Sequence, residues 1–201
     1  MKRILDIMVS LVGLVFLALP GAVIALAVKR DSPGPAFYGG TRVGLFCRPF
    51  RMWKFRTMVQ DADTVGPSST AEDDPRITRL GYWLRRYKVD ELPQLWNVLN
   101  GEMSLVGPRP QVAWAVATYT QVERAILAVR PGMTDPASLR YRNEAELLRR
   151  SHDPDHDYMT QIHPEKMRLS LDYALHRTFW GDIRILGRTA VVLLGPGRGG
   201  A

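Results

Sequence analysis

An apolar run of 22 residues, from Ile7 to Val28, lies near the start of the 201-residue chain and limits what the chain can fold into. As a helix this run would be about 33 Å long, which is enough to cross the hydrocarbon core of a bilayer. Basic residues flank it on both sides, with Lys2 and Arg3 before the run and Lys29 and Arg30 after it. The positive-inside rule therefore favours a cytoplasmic location for both ends.

Pro20 lies in the middle of the run, where a proline removes a helical hydrogen bond and kinks the helix, and Gly21 adds slack. We expect a re-entrant membrane helix over residues 1–30 that enters one leaflet, bends and returns. A kinked spanning helix also fits, because membrane helices tolerate proline. Residues 25–27, Ala-Leu-Ala, resemble a signal cleavage site, but the run is long for a cleaved signal. Asp6 is expected at headgroup level, paired with a cation.

Residues 31–201 are predicted to form one compact cytoplasmic domain of the α+β class, mostly helical, with interfacial helices. The net charge of +7 and the pI near 9.8 indicate anionic partners such as lipid, nucleotide phosphates or nucleic acid. The sequence has no recognisable helix-turn-helix or RNP motif, which argues against nucleic acid. Cys47 is the only cysteine, so no intramolecular disulfide can form, and we interpret it as a packing residue.

Periodicity predicts several elements in this domain. Alternating basic and apolar residues at 51–58 predict a short strand. Residues 79–88 combine tyrosine and tryptophan with arginine and lysine, which is typical of a helix at headgroup depth. Helical patterns cover 113–130, which stops before a Pro-Gly pair, and 164–179. The apolar run 183–194 is too short to span a bilayer.

The stretch "DELPQLWNVLNGEMSLVGPRP", residues 90–110, places two adjacent carboxylates ahead of a short helix. Pro93 suits the first turn of that helix, and the pair Asn100-Gly101 is a stop signal. The predicted apolar face consists of Leu92, Leu95, Trp96 and Leu99. Asp90 and Glu91 therefore lie at the helix N-terminus, where the helix dipole favours anions. Carboxylates that merely cap the helix would give the same pattern.

The basic residues near this pair suggest chemistry. Arg85 precedes the carboxylates, and Arg109 follows the helix between Pro108 and Pro110, which would hold it at a fixed geometry. A carboxylate beside a phosphate is repelled unless cations screen both groups, and arginines with a divalent metal would do so. An ionised carboxylate can attack phosphorus and give a covalent phosphoenzyme. The residues alone thus favour a membrane-attached phosphoryl-transfer enzyme.

Three segments carry a resemblance to a known family. "VDELPQLWNVLNGEMSLVGPRP", "TRVGLFCRPFRMWKFRTM" and the "KRILD" opening resemble the small monotopic phosphoglycosyl transferases, the minimal form of the bacterial sugar transferases, from residue 2 to about 190. The resemblance implies transfer of a phosphosugar from a UDP-sugar to polyprenyl (undecaprenyl) phosphate with release of UMP, a reaction of the EC 2.7.8 type. It also implies the cytoplasmic face of the bacterial inner membrane and the first membrane step of glycoconjugate assembly, whether exopolysaccharide, O-antigen, capsule or glycoprotein.

Site residues follow from the same resemblance. Asp90 would be the nucleophile that forms an aspartyl-phosphosugar intermediate and would help to hold Mg²⁺, with Glu91 completing the dyad. The resemblance assigns the nucleotide side to Pro108, Arg109 and Pro110, and the surroundings of the phosphates to Arg85, Lys54 and Arg56. The re-entrant helix is also a family feature, and its kink would lie at Pro20.

One departure and several open points remain. Family members often have serine before the kinking proline, but Leu19 stands there in this chain. Arg140, Arg142 and Glu144 are candidates for contact with the sugar, although a structural turn with surface charges explains them as well. A homodimer is compatible with the sequence. The rival interpretation is a non-catalytic, membrane-tethered basic protein that binds anionic lipid or nucleic acid.

Overall fold

The protein is mostly helical with two small sheets, as a computed structural model describes for residues 1–66 and 69–194, which confirms the predicted class. The α-helices are α1 (Lys2–Asp31), α2 (Arg79–Arg86), α3 (Gln94–Asn100), α4 (Ala113–Ala117), α5 (Pro136–Arg140), α6 (Glu144–Leu147), α7 (Pro154–Asp157), α8 (His163–His176) and α9 (Phe179–Leu194). The strands are β1 (Phe37–Val43), β2 (Pro49–Phe55), β3 (Ser104–Val106) and β4 (Gly132–Thr134). Short 3-10 turns occupy Leu45–Cys47, Val89–Glu91 and Glu123–Ala128, and a π-helical turn occupies Tyr158–Ile162.

Helix α1 contains the predicted membrane segment. Its 30 residues continue through Pro20 and give a length of about 45 Å. Among the described residues it is the one helix that is long and apolar enough to cross a membrane. Most of its apolar side chains are exposed, and Phe16 and Leu19 each keep 77% of their surface. The re-entrant path through a bilayer stays a prediction.

The first turn of α1 is bonded to the rest of the protein. Lys2 Nζ lies 2.5 Å from Asp182 Oδ2 in the first turn of α9. Arg3 donates to the carbonyls of Val98 and Leu99 at 2.6 and 2.8 Å, so it caps the C-terminal end of α3. The basic start of the membrane helix is therefore tied to two helices of the remaining structure.

Asp6 has a different environment from the predicted one. Its carboxylate is buried and accepts hydrogen bonds from Ser104 Oγ at 2.9 Å and from the Leu105 N–H at 3.1 Å. The expectation that Asp6 pairs with a cation is wrong, because α1 packs this carboxylate onto β3, and its expected headgroup depth stays a prediction. Buried carboxylates need such donors, and here neutral groups supply them.

The last turn of α1 also packs against the same body. Val28 is buried in a cluster with Phe55 of β2. The adjacent Arg56 donates to the carbonyls of Ser32 and Pro33 at 2.6 and 2.5 Å, just beyond the end of the helix. The two ends of α1 are therefore attached to one folded unit.

Strands β1 and β2 form an antiparallel hairpin that confirms the predicted strand at 51–58, although β2 begins two residues earlier and ends at Phe55. In the connecting turn, Phe46 and Cys47 adopt left-handed backbone angles, with φ of 52° and 62°. Cys47 is exposed, so its interpretation as a packing residue is wrong.

The second sheet pairs β3 with β4 in parallel, with Ser104 opposite Gly132. Neither strand is predicted from the sequence. The chains approach so closely that a Cβ on Gly132 would lie 2.0 Å from the Gly107 nitrogen, which explains a glycine at this position. Because β3 ends at Val106, the segment that carries Arg109 follows directly from this strand.

The predicted helices α2 and α8 are confirmed, but a continuous helix over 113–130 is wrong. Helix α4 ends at Ala117, and a 3-10 turn begins at Glu123. Thr120 and Glu123 form a reciprocal capping box, in which each side chain accepts a hydrogen bond from the backbone N–H of the other. This local bonding starts a new turn instead of extending α4.

Candidate active site

Asp90 and Glu91 lie in the 3-10 turn that leads into α3, as the sequence predicts. Lys88, just before the turn, has a left-handed conformation with φ of 57°, which turns the chain after α2. Pro93 lies immediately before α3, and Gly101 closes the helix with φ of 84°. The structure thus confirms the predicted start and end of this helix. Asp90 is only 4% exposed, which is a large burial for a carboxylate.

Glu91 is held by two cations. Arg109 Nη1 lies 3.1 Å from Glu91 Oε2, Arg109 Nη2 lies 2.5 Å from Oε1, and Lys54 Nζ lies 3.0 Å from Oε1. Burial opposes the charge on Glu91, but Arg109 and Lys54 outweigh it and hold the pKa of the carboxyl well below its usual range. Glu91 is therefore ionised and fixed by a bidentate pair.

Asp90 is less constrained than its neighbour. Lys54 Nζ lies 3.8 Å from Asp90 Oδ2, and the buried Oδ1 has no hydrogen-bond partner among the described residues. Burial raises the pKa of Asp90, Lys54 opposes that rise, and the charge of Glu91 adds to it. The dyad thus combines one carboxylate whose two oxygens are both held by cations with one that has a buried oxygen outside any hydrogen bond in the described parts of the chain.

Two further cations lie close to the dyad. Arg85 donates from Nε to Thr57 Oγ1 at 3.0 Å, and its charge favours the ionised form of Asp90. The charge of Lys88, an exposed residue, favours the ionised form of both carboxylates. Lys88 is not among the site residues predicted from the sequence, although it stands two positions before Asp90.

The charge balance of this cluster suits phosphate ligands. Lys54, Arg85, Lys88 and Arg109 supply four positive charges around the two carboxylates. Among residues 1–66 and 69–194 no group of three or more His, Cys, Asp or Glu side chains could enclose a metal ion. Mg²⁺ is commonly held by one or two carboxylates together with water and substrate phosphates, and the unpartnered Oδ1 of Asp90 fits that arrangement.

Arg109 is positioned by the backbone on both sides. The Gly107 N–H donates to the Thr134 carbonyl, and the Pro108 carbonyl accepts from the Gly132 N–H, both at 3.0 Å. These bonds continue the β3–β4 pairing to the residue before Arg109, and Pro110 restricts the residue before it. The segment 108–110 is therefore a rigid support for the guanidinium that holds Glu91.

The structure separates Arg56 from this cluster. Its guanidinium donates to the carbonyls at the end of α1, whereas Lys54, two residues earlier on the hairpin, contacts the dyad.

The other predicted residues lie elsewhere. Pro20 lies within α1. Among the sugar-side candidates, Glu144 acts on Arg109 by raising its pKa, while Arg142 donates to the Val192 carbonyl on α9.

Helix α3 buries Leu95 as predicted, but the prediction that Trp96 belongs to the buried face is wrong. Trp96 is 51% exposed, while Gln94 and Asn97 are fully buried. Asn97 is satisfied, because it accepts from the Trp53 N–H and donates to the backbone. Both polar atoms of the Gln94 amide have no partner among the described residues. Gln94 begins α3, four positions after Asp90 in the preceding 3-10 turn.

Residues 1–196 match the sequence profile of the family described as bacterial sugar transferase. The chain belongs to this family. Its membership confirms the resemblance found in the motifs. The match includes α1 and the dyad, so both lie within the region that the family profile covers.

Curated relatives of this bacterial sugar transferase carry related names. The chain is 36% identical over 191 residues to the UDP-glucose:undecaprenyl-phosphate glucose-1-phosphate transferase of Escherichia coli K12, covering 92% of this chain and 38% of the relative. It is 36% identical to the undecaprenyl-phosphate galactose phosphotransferase of Salmonella typhimurium, covering 96% and 40%. An exopolysaccharide production protein, PSS, of Rhizobium leguminosarum is 45% identical over 70% of this chain and 74% of its own length. The chain spans about two fifths of the length of the first two relatives.

Proposed function

We propose that this bacterial sugar transferase moves a phosphosugar from a UDP-sugar to polyprenyl phosphate and releases UMP. An oxygen of Asp90 attacks the phosphorus that carries the sugar. The bond from that phosphorus to the bridging oxygen breaks, and UMP leaves with the electron pair. An oxygen of the polyprenyl phosphate then attacks the same phosphorus, which forms the lipid diphosphosugar and frees the Asp90 carboxylate. The reaction opens glycoconjugate assembly at the cytoplasmic face of the inner membrane.

The unequal bonding of the two carboxylates carries this proposal. Glu91 has both oxygens engaged by Arg109 and one also by Lys54, whereas Asp90 Oδ1 is unpartnered. A nucleophile needs a lone pair that no hydrogen bond occupies, so the buried oxygen, unpartnered among the described residues, favours Asp90 over Glu91 for attack. Glu91 then acts as the fixed anchor of the two cations that would meet the substrate phosphates.

The surrounding cations complete the assignment. Lys54, Arg85, Lys88 and Arg109 would neutralise the phosphates of the donor and acceptor, and the rigid 108–110 segment would lie on the nucleotide side. Asp90 and Glu91 would hold Mg²⁺, which would neutralise charge on the phosphates when bound. The nucleophile and the remaining positive charges at the phosphates would come from side chains of the protein.

The attachment of α1 supports a monotopic, re-entrant arrangement. Lys2 and Arg3 at its start and Val28 at its end contact one folded unit. A straight span would separate its ends by the thickness of a bilayer, about 30 Å, with the unit on one side only. A helix that dips into one leaflet keeps both ends and the dyad on the cytoplasmic side, at the height of the lipid phosphate.

The decisive experiment measures UMP release from the chain in nanodiscs with Mg²⁺, polyprenyl phosphate and a panel of UDP-sugars. We expect release with at least one donor, a phosphosugar adduct on Asp90 in intact-mass spectra when acceptor is omitted, and neither signal for Asp90→Asn. Glu91→Gln should bind donor poorly and should still show traces of adduct. Full turnover by Asp90→Asn would remove Asp90 as the nucleophile.

A further inference from the structure

A groove with both polar and apolar walls lies between α5 and α9, and the Asp90–Glu91 dyad does not line it. Its volume is about 590 Å³, and its walls include Leu139, Arg140, Arg184, Ile185, Arg188 and Val191. None of these residues belongs to the cluster around Asp90. The walls therefore combine aliphatic surface with three guanidinium groups. A small soluble anion would contact only the guanidinium groups, and an apolar ligand would contact only the aliphatic surface.

The arginines on α9 are available for a ligand. Arg184 and Arg188 are exposed and lie one helical turn apart, so they share one side of the helix. In the described parts of the chain, no carboxylate lies within ion-pair distance of either residue. Arg140, on the opposite wall, has its Nε 3.8 Å from Glu165 Oε1 with both side chains well exposed, which is a weak pair. The groove thus has unneutralised positive charge.

The start of α9 fixes the position of the groove relative to the start of α1. Asp182 in its first turn pairs with Lys2 at the start of α1. Trp180, one turn before Arg184, is 75% exposed. A tryptophan followed by two arginines at four-residue intervals is typical of a helix at the bilayer surface, where aromatic rings and cations meet lipid headgroups.

We propose that this groove binds one anionic phospholipid of the bilayer. Arg184 and Arg188 would hold the headgroup phosphate with Arg140 at the rim, and an acyl chain would run along Leu139, Ile185 and Val191. Guanidinium forks bind phosphate through paired hydrogen bonds, and the aliphatic wall adds affinity that free phosphate cannot use. The proposal concerns retention of a lipid and requires no turnover, so it goes beyond the proposed function.

Native mass spectrometry of the full chain from neutral detergent micelles tests the proposal. Phosphatidylglycerol, phosphatidylcholine, polyprenyl phosphate and inorganic phosphate are titrated separately. We expect one retained phosphatidylglycerol, bound more tightly than phosphatidylcholine. Arg184→Gln and Arg188→Gln should each weaken its binding about 5-fold, and the double variant about 25-fold. Arg124→Gln, which removes an exposed arginine from the turn Glu123–Ala128, should leave binding unchanged.

Three outcomes would overturn the proposal: equal retention of phosphatidylglycerol by the double variant, equal affinity for phosphatidylcholine, or displacement of the lipid by an equal concentration of inorganic phosphate. Tighter binding of polyprenyl phosphate that depends on both arginines would reassign the groove to the acceptor. UMP release is measured on the same samples. An inactive chain that retains phosphatidylglycerol refutes the proposed function alone, and an active chain that does not retain it refutes the groove alone.

Discussion

Arg109 grips Glu91 through two parallel hydrogen bonds of 3.1 and 2.5 Å, while the adjacent Asp90 keeps one buried carboxylate oxygen without a partner among the described residues. Two acidic side chains that are neighbours in sequence thus have different environments. The pairing holds the charge on Glu91 and fixes its geometry, whereas burial works against the charge on Asp90. This difference is the basis for separating an anchoring role from a nucleophilic one.

Asp90→Asn should become more stable relative to the parent as pH rises. The folded state raises the pKa of Asp90, so the stability that this group contributes is present below about pH 4, its unfolded value, and is lost as pH rises through the folded pKa. Asparagine has no proton to lose. Thermal unfolding in detergent at acidic and neutral pH measures the difference, and an identical gap at both would contradict the raised pKa.

Arg109→Gln should destabilise the protein near neutral pH by about 1 to 2 kcal/mol, because Glu91 would lose its bidentate partner. The folded state lowers the pKa of Glu91, so the contribution of this pair is present above its unfolded value of about 4.3 and is lost as pH falls. The penalty should therefore shrink in acid. Arg86→Gln, at an exposed arginine, is the matched control. A penalty that does not change with pH would mean that Arg109 acts by packing alone.

Lys54→Gln should lower turnover and Arg56→Gln should lower stability, although the two positions are both basic and close in sequence. Lys54 contacts the dyad, so its loss should reduce turnover about 10-fold to 100-fold with little change in stability. Arg56 bonds the carbonyls after α1, so its loss should cost on the order of 2 kcal/mol of stability and leave the donor KM unchanged. Kinetics and thermal unfolding of both variants separate these roles. A raised donor KM in Arg56→Gln would place it at the phosphates.

Gln94→Met should stabilise the protein and impair turnover. A buried amide without partners costs about 1 to 3 kcal/mol, and methionine fills a similar volume without that cost. Gln94 lies one turn after Asp90, where a polar group kept at such a cost indicates a role in the reaction. Thermal unfolding and UMP release are measured together, with Leu99→Met as an apolar control on the same helix. A variant that is more stable and fully active would assign Gln94 no part in turnover.

Both ends of α1 should be accessible from the cytoplasmic side. In a Cys47→Ser background, a cysteine tag before Met1 and an Arg30→Cys substitution are labelled with a membrane-impermeant maleimide, in intact cells and in inverted vesicles. We expect both sites to react only in inverted vesicles, because both ends contact one unit. Labelling of one end in intact cells would establish a spanning helix.

The elements that depend on local pattern could be predicted from the amino-acid sequence. The apolar run became α1, alternation predicted β2, and the signals at Pro93 and Gly101 predicted α3, because hydrophobic period and turn chemistry act over a few residues. Local reasoning failed where bonding between distant segments decided the outcome. On α3 the side chains of Gln94 and Asn97 are buried and that of Trp96 is exposed. Asn97 can be buried because the hairpin supplies its hydrogen-bond partners.

Long-range packing determines which charged groups share the site. Lys54 and Arg109 are 37 and 18 positions from Glu91, and their meeting depends on the hairpin and on the β3–β4 pairing, which no local pattern encodes. The same packing directs Arg56 to the end of α1 and leaves Lys54 at the dyad. Sequence motifs named the carboxylates, but long-range contacts assigned their partners, because charge interactions act across space and not along the chain.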